Sequence, residues 1–471
     1  MKELRGRYEG RWRLPEQRRD RATGGALTLG GEPGGVLRLT GALPWDLAKR
    51  SQPQNRSGVW YDLPVINGDT VDGDQLTLLR NLVTSTRTVA GGTQSQELLV
   101  GDVLVGAHLV EEQNPVFDSV QFELTHLADW SRPSGVGPVT ESGDEENFVI
   151  TYRRTPPHLA TVVGLGEVAL GRTADYKFDH EVNTLRHYAA FAVRFAKPRH
   201  LDDVFDDAIA PLQNLLTFAD ARASRPGPVS VTSPGLRVHG EQAHLGVFRT
   251  GVEPPENKQN KEATPYQGIF VLEACPIPFG QLIARWFDLA SRLGPIIDLY
   301  LTLDYAPPVH TQTQFMNMCQ AAEGYHRTIS TGTLMDPEEH KELVRGLVNG
   351  CPDDRREWLR GLLAHSNEPS FKRRIDELID RAGPALRPLI AARPKYAVAM
   401  REYRISYAHW LSTEPLTANV RAKLVDLITV TRFMLAACFL QDLGWSTDQV
   451  HAAFEKNWLF IYSSRQGQQR T

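Results

Sequence analysis

The spacing of apolar residues changes along the chain and divides the sequence into two parts. Up to about residue 190, short runs rich in β-forming residues are separated by clusters of Gly, Pro, Asn and Asp, a pattern that predicts strands joined by turns. Several strands at such close spacing are typical of a sandwich or a barrel-like sheet. The predicted strands cover residues 36–43, 76–83, 97–110, 119–127, 148–154 and 159–170.

A single helix interrupts this pattern between Leu201 and about Ala219, where apolar residues recur at helical spacing. Strands resume in VSVTS, LRVHG and HLGVFR, and GIFVLEA (268–274) is predicted to be one more strand. Before GIFVLEA, residues 251–267 are polar, contain proline and lack apolar anchors, which indicates an exposed loop. The first part of the chain is therefore predicted to be β-rich with one helical insertion.

From Phe279 onward the apolar residues follow a period of about 3.6, which predicts a series of helices. Ser370 is placed to cap one of them, and Ser446 with Gln449 forms the capping-box pattern of another. We expect an α+β multidomain protein, with a β-rich sandwich or barrel-like domain over residues 1–300 and an all-α bundle over residues 301–471. The predicted helices cover residues 280–293, 312–328, 337–349, 353–365, 370–382, 395–411, 417–442 and 447–460.

The composition is that of an ordinary globular protein, with 41% hydrophobic and 23% charged residues, so neither disorder nor a membrane protein is indicated. The formal net charge of −4 excludes a chain coated with positive charge, and any nucleic-acid site must be local. The basic N-terminus lacks the apolar segment of a secretory signal. No apolar run reaches the roughly 20 residues that span a bilayer. We therefore expect a cytoplasmic protein that does not bind a membrane.

Three patterns that would suggest cofactor or metal chemistry are incomplete. Gly164 and Gly166 match half of a dinucleotide-binding fingerprint, but predicted strands flank them, so a hairpin is expected. His180 and His187 have the wrong spacing for a helical zinc motif, which needs its second histidine four residues after the first. The four cysteines are widely separated and are predicted to be buried thiols. We expect no metal and no cofactor.

The stretch MREYRISYAHW (400–410) places Arg404 five residues before His409 in a predicted helix. Cleavage of RNA by its own 2′-hydroxyl needs a base, a cation that stabilises the crowded phosphorane, and an acid for the leaving 5′-oxygen. Histidine exchanges protons near neutral pH, and the flat guanidinium of arginine matches phosphate oxygens. Arg404 and His409 are therefore a candidate catalytic pair, with two polar residues on a solvated helix face as the alternative.

The spacing alone does not select this pair, because chance gives roughly four such combinations in a chain of this composition. Five residues along a helix correspond to about 140° beyond a full turn, so the two side chains would flank a groove. Their helix precedes the longest apolar helix of the predicted bundle, whereas most rival pairs lie in the strand-rich part. The rivals are Arg153/His158, Arg194/His200, Arg237/His244 and Arg360/His365.

The earlier helix FMNMCQAAEGYHR carries a second polar cluster, in which Glu323, His326 and Arg327 lie on one side. If this helix packs beside the helix that carries Arg404, Glu323 is placed to orient Arg404 or His409. A surface ion pair between Glu323 and Arg327 is the equal alternative. His326 and Arg327 are candidate contacts for RNA.

Two aromatic residues on the later helix, Tyr407 and Trp410, are candidates for stacking on a splayed RNA base. Aromatic residues in a helical bundle more often belong to its core, which is the alternative for both. The sequence does not decide between the two roles.

The pairing of FMNMCQAAEGYHR with YRISYAHW resembles the ApeA-like branch of the HEPN superfamily, helical RNases that carry an R-x4-6-H motif. The first part of the chain is similar to the strand-rich N-terminal domain that accompanies these HEPN domains. The similar segments are YEGRWRLPE, GVLRLTGAL, ELLVGDVLVGAHL and FDSVQFELTHLADW, so the resemblance covers most of the chain.

This resemblance implies that Arg404 binds the scissile phosphate, that His409 is the acid or base, and that Glu323 supports them. It also implies a homodimer, or a higher homo-oligomer, formed through the HEPN helices, in which two copies of the motif share one cleft. ApeA-like proteins are bacterial anti-phage effectors that cleave host RNA, tRNA included. The N-terminal domain would then respond to a phage-derived activator.

One residue departs from the family pattern, because Ile405 follows the motif arginine where a polar residue, often Asn, is usual. This departure keeps open a catalytically inactive HEPN module that binds RNA or protein. A third alternative is a β-rich binder of carbohydrate or protein with a helical dimerisation domain.

Overall fold

The structure is a computed structural model that divides into two compact units, which are described separately. The first comprises Met1–Leu216, Ser224–Ala263 and Val271–Ala284, and the second comprises Thr217–Ala223, Thr264–Phe270 and Arg285–Thr471. Residues 285–300, which we assigned to the first domain, belong to the second unit. The structure describes residues 5–31, 34–44, 63–88, 92, 94–109, 115–132, 140–142, 147–149, 151–153, 155–177, 184–238, 240–251, 268–305, 310–330, 332–408 and 416–468.

The strands of the first unit are antiparallel, and most of them belong to one continuous sheet. The strands are β1 (Gly6–Arg13), β2 (Thr23–Leu29), β3 (Gly35–Leu39), β4 (Leu63–Thr70), β5 (Gln75–Thr88), β6 (Gln94–Val105), β7 (Val116–Leu124), β8 (Thr140–Ser142), β9 (Asn147–Val149), β10 (His158–Val162), β11 (Gly166–Lys177), β12 (Thr184–His200), β13 (Pro226–Val238) and β14 (Glu241–Arg249).

The first six strands close into a barrel because β6 pairs with β3 on one side and with β5 on the other. Leu98 of β6 lies opposite Leu37 of β3 and opposite Val83 of β5, so it joins the two edges. From β6 the sheet continues outward in the order β14, β13, β7, β12, β11 and β10. The predicted barrel-like sheet is confirmed. Gly164 lies in the turn between β10 and β11, as expected for a hairpin.

Alternate residues of the barrel strands point inward and form its core, as the period of two predicts. Trp12, Leu27, Leu76 and Leu98 are fully buried there. Trp12 of β1 lies opposite Gly68 of β4, and its ring occupies the space above that glycine. A β-carbon at position 68 would overlap the indole ring.

We expect Gly68→Ala to destabilise the first unit by about 1–3 kcal/mol, because the added methyl forces Trp12 out of its packed position. Gly171→Ala on β11 is the matched control, since a β-carbon at that position meets no atom within 4 Å. Thermal unfolding followed by tryptophan fluorescence measures both variants. Equal midpoints for the two would show that the barrel core tolerates the extra volume.

Most of the helices correspond to predicted ones, whereas α1 and α9 were not predicted. They are α1 (Leu127–Trp130), α2 (Leu201–Val204), α3 (Ala210–Asp220), α4 (Phe279–Tyr305), α5 (Thr311–Ile329), α6 (Pro337–Asn349), α7 (Arg356–Leu363), α8 (Phe371–Ala382), α9 (Arg387–Ala391), α10 (Tyr396–Ala408), α11 (Ala418–Asp442), α12 (Thr447–Phe454) and α13 (Trp458–Gln468).

Helix α4 continues past its predicted end at residue 293, although Pro295 lies inside it. Proline removes one backbone hydrogen bond and usually ends a helix. Here Leu293, Ile297 and Leu301 are buried on both sides of the proline, and this burial holds the helix together across the defect.

Two other predictions at this level are wrong. GIFVLEA is not a strand, since Ile269 and Phe270 donate backbone hydrogen bonds to Ala219 and a short 3-10 turn follows at Leu272–Ala274. The helix predicted over residues 447–460 is two helices. Asn457 separates them, because its side chain accepts from the backbone N–H groups of Leu459 and Phe460 and caps α13.

Helix α11 is the central helix of the second unit. Leu427, Met434 and Leu440 are among its buried residues, and α5 and α8 pack against it. By length and composition this helix would span a bilayer, but 72% of its most apolar window is buried inside the protein. Burial of this extent identifies α11 as the core helix of the bundle.

Candidate functional site

Arg404 lies in the last two turns of α10, where the neighbouring helices α5 and α8 define its surroundings. Earlier on the same helix, Ala397 and Met400 are buried, which fixes the face that points towards α5 and α8. The guanidinium donates from Nη2 to Oε2 of Glu323 on α5 at 2.7 Å. Its central carbon lies 4.7 Å from the ring centre of Phe371, the first residue of α8. The carboxylate of Glu323 and the ring face of Phe371 therefore hold Arg404 in place.

This arginine remains open to solvent, because 34% of its side-chain surface is exposed. A guanidinium has five N–H donors. In Arg404, the Nη2 group donates to Glu323. Among the residues that the structure describes, its other N–H groups meet no further hydrogen-bond acceptor, so they can donate to an anion that approaches from solvent. Phosphate oxygens suit this geometry, since they accept parallel hydrogen bonds from the planar fork.

Glu323 links Arg404 to a second exposed arginine. Its Oε1 accepts from Nη2 of Arg327, one turn later on α5, at 3.3 Å. Arg327 also donates to Oε2 of Glu368 at 2.7 Å, and 53% of its side chain is exposed. The contact with Arg404 and the ion pair with Arg327, which were alternatives for Glu323, are both present. Two cations therefore share one carboxylate at this surface.

The structure places His326 beneath this surface. Its side chain is 2% exposed and lies between Arg374 and Glu377, both on α8. Arg374 is permanently protonated and points an N–H group at Nδ1 of His326 at 3.0 Å, so Nδ1 is the acceptor. Nε2 then carries the proton and donates to Glu377 at 2.6 Å. Since both ring nitrogens are engaged, His326 does not face RNA and instead positions α8 against α5.

The acids that close this network are held in their charged forms. A hydrogen bond from His365 lowers the pKa of Glu368, and Arg327 adds to this effect. Hydrogen bonds from Arg373 and His326 lower the pKa of Glu377. Charged carboxylates keep the arginines oriented at neutral pH.

Cys319 lies one turn before Glu323 and is buried. Burial raises the pKa of its thiol, and the nearby Arg404 only partly opposes this effect. The thiol stays protonated and is a packing group here. Cys438 is buried as predicted, whereas Cys275 and Cys351 are only partly buried.

Tyr407 packs along the seam between α5 and α10. Its ring lies edge-on to Phe315 at 6.3 Å and nearly parallel to Tyr403 at 6.3 Å. Burial raises the pKa of its hydroxyl, with a further contribution from Tyr403. The ring is only partly buried, so it combines packing with an exposed portion.

His409 and Trp410 follow α10 directly in the chain and lie outside the described residues. The rival His365 lies on the surface, where 84% of its side chain is exposed and Nδ1 is 3.1 Å from Glu368. Through Glu368 it is connected to the network that includes Arg327, whereas its partner in the rival motif, Arg360, lies on α7.

The contribution of α8 to this site was not predicted from the sequence. Phe371 and Arg374 lie in a segment, FKRRIDEL, whose basic residues suggest a solvated helix face. Arg374 is nevertheless 2% exposed. The one available signal was Ser370, which caps α8 as expected and fixes where the helix begins.

Comparison with known families yields a match for each part of the chain. Residues 7–286 match the model of ApeA N-terminal domain 1, and residues 316–449 match the model of Apea-like HEPN. The second match includes Glu323, Arg374 and Arg404. No curated protein and no solved structure matches the chain.

Proposed function

Since the chain belongs to the family of ApeA-like HEPN proteins, we propose that it is an anti-phage effector that cleaves host RNA, tRNA included. This family carries a nuclease-type HEPN module, and the β-rich N-terminal unit accompanies it. The proposed reaction is metal-independent endoribonucleolytic cleavage by the helical unit.

The observation that carries this proposal is the partly exposed guanidinium of Arg404, held by Glu323 and Phe371. In a binding site, a clamped cation loses less side-chain freedom when the ligand arrives. Arg404 would bind the scissile phosphate and stabilise the charge that develops on its oxygens in the phosphorane. Arg327 adds a second positive charge at the same surface, and Tyr407 presents an aromatic edge.

His409 would supply the proton transfers. The 2′-oxygen forms a bond to phosphorus while a histidine accepts the hydroxyl proton, and the bond from phosphorus to the 5′-oxygen breaks as an acid protonates the leaving group. The products are a 2′,3′-cyclic phosphate and a free 5′-hydroxyl. A homodimer through the HEPN helices would bring two copies of His409 to one cleft, one as base and one as acid. A phage-derived component that acts on the N-terminal unit would trigger the reaction.

The test maps RNA 3′-ends in phage-infected bacteria that express the wild type, His409→Ala or Arg404→Ala. Cyclic phosphate ends, and growth arrest, are expected with the wild type only. Purified wild-type protein should keep its activity in a chelator of divalent metals. Identical RNA ends in all three strains would overturn the proposal.

A binding module without cleavage remains the second candidate because of Ile405, which is partly buried on α10. That function predicts RNA binding by the wild type with no new 3′-ends in cells. The same mapping experiment therefore separates the two candidates.

A further inference from the structure

A groove of about 970 Å³ lies on the second unit, between the segment that leads into α10, the first half of α11, and α13. We call it the α11 groove. One wall runs along α11 from Ala418 to Thr429, which is about 16 Å at the rise of an α-helix. Val425 and Leu459 contribute apolar surface to it. None of the candidate site residues that the structure describes lines this groove.

The lining of the groove is positively charged. Lys395, Arg421 and Lys423 line it, and none of these three side chains forms an ion pair with any residue that the structure describes. The acidic residue of the lining, Asp426, is already neutralised by Arg393, which donates to it from Nε at 3.0 Å and from Nη2 at 2.6 Å. In a chain with a net charge of −4, a local excess of three positive charges calls for an anionic ligand.

Aromatic surface accompanies these cations. Tyr462 of α13 lines the groove and is 53% exposed, and Trp458, one turn earlier, is 46% exposed. The two rings lie 6.3 Å apart. Arg465 follows on the same helix and is also exposed. A basic groove with exposed aromatic rings is the arrangement by which proteins hold single-stranded nucleic acid, because cations track the backbone while bases stack on the rings.

We propose that the α11 groove binds a single-stranded segment of RNA. Lys395, Arg421 and Lys423 contact its phosphates, and Tyr462 and Trp458 stack on its bases. The inference rests on the proposed function for the identity of the nucleic acid, since a ribonuclease must hold RNA on both sides of the linkage that it cleaves. The groove then acts as a substrate-binding surface separate from Arg404. A second copy of the chain is the alternative occupant, which the test below distinguishes.

The test measures binding of a fluorescent, single-stranded 2′-O-methyl oligoribonucleotide to the full-length protein. This probe lacks the nucleophile, so binding is read without cleavage. We expect Arg421→Glu/Lys423→Glu to weaken binding at least tenfold. The slope of log affinity against log salt concentration should also fall by about 1.4, since each phosphate contact to a single strand contributes about 0.7. Arg345→Glu/Arg355→Glu is the matched control, because those arginines are exposed on α6 and just before α7 and do not line the groove.

The aromatic contribution is tested by Tyr462→Ala and Tyr462→Phe. The alanine variant should lose about 5-fold to 100-fold in affinity, and the phenylalanine variant should bind as the wild type does, because stacking needs only the ring. Unchanged binding in the charge-reversal variant would overturn the inference and leave the proposed cleavage standing. Binding that depends on the groove, without any cleavage, would support the inference and overturn the proposed cleavage. A groove variant that changes the oligomeric state and binds RNA normally would assign the groove to a second copy and also overturn the inference.

Discussion

Purified Arg404→Ala should cleave RNA about 10²–10³ times more slowly than the wild type, which is the usual cost of removing one preorganised donor from a site of developing negative charge. Its effect on folding should be small. The ion pair with Glu323 is about one-third exposed on the arginine side, and pairs of this kind contribute about 1 kcal/mol or less. A rate loss of this size therefore reflects chemistry. Single-turnover cleavage of a labelled RNA measures it, and thermal unfolding provides the control.

Further variants at Arg404 and at its partner Glu323 separate charge from geometry. Arg404→Lys keeps the positive charge but loses the planar fork and its stacking on Phe371, so most of the rate loss should remain. Glu323→Gln keeps an acceptor for Arg404 and should lose roughly tenfold, while Glu323→Ala should lose more. Because Glu323 is a positioning residue, its losses should appear mainly in the rate of the bound complex. A lysine variant with wild-type rate would exclude bidentate phosphate binding by Arg404.

The architecture of both units could be predicted from the periodicity of apolar residues, because residues that face a core recur at the spacing of their helix or strand. The barrel strands alternate residues such as Leu37 and Leu39 towards the core, and α11 needs an apolar residue at nearly every position of its second half. The failures have local physical causes. Pro295 is tolerated because the residues around it are buried, and GIFVLEA has strand-like composition but packs through Ile269 and Phe270 against the end of α3.

The candidate site was only partly accessible from the sequence. Glu323 was a candidate because it shares a helix face with His326 and Arg327, and the packing of α5 beside α10 then brings it to Arg404. The partners on α8 could not be predicted, because a basic helix does not show in its sequence which arginine is buried. Arg374 is buried whereas its neighbour Arg373 is exposed. Tertiary packing decides that difference. The same packing turns His326 inward.

The largest stability effect is expected at a buried ion pair between α4 and α11. Arg432 of α11 donates from Nη2 to both carboxylate oxygens of Asp304 on α4, at 2.8 and 2.7 Å. The Asp304 side chain is 5% exposed. Replacing Arg432 by methionine keeps the bulk but leaves a buried carboxylate without its partner. Loss of one partner of a buried pair costs about 3–5 kcal/mol.

The destabilisation by Arg432→Met should depend on pH. Burial raises the pKa of Asp304, and Arg432 opposes that increase; without the arginine, the pKa in the folded state rises further above its unfolded value. An acid of this kind binds more protons when folded, so stability is greatest below the unfolded pKa and falls as pH rises through the folded pKa. The variant should therefore lose less stability at about pH 5 than at about pH 8.

Urea unfolding of the full chain, followed by the helical circular-dichroism signal at both pH values, measures this dependence. Asp304→Leu/Arg432→Met is the control, because removing both charges should recover most of the lost stability and abolish the pH dependence. If Arg432→Met lost less than about 1 kcal/mol, or lost equally at both pH values, Asp304 would have to find another partner or reach solvent. The Arg432–Asp304 pair would then not stabilise the core on which α5 and α8, the helices that hold Arg404, are packed.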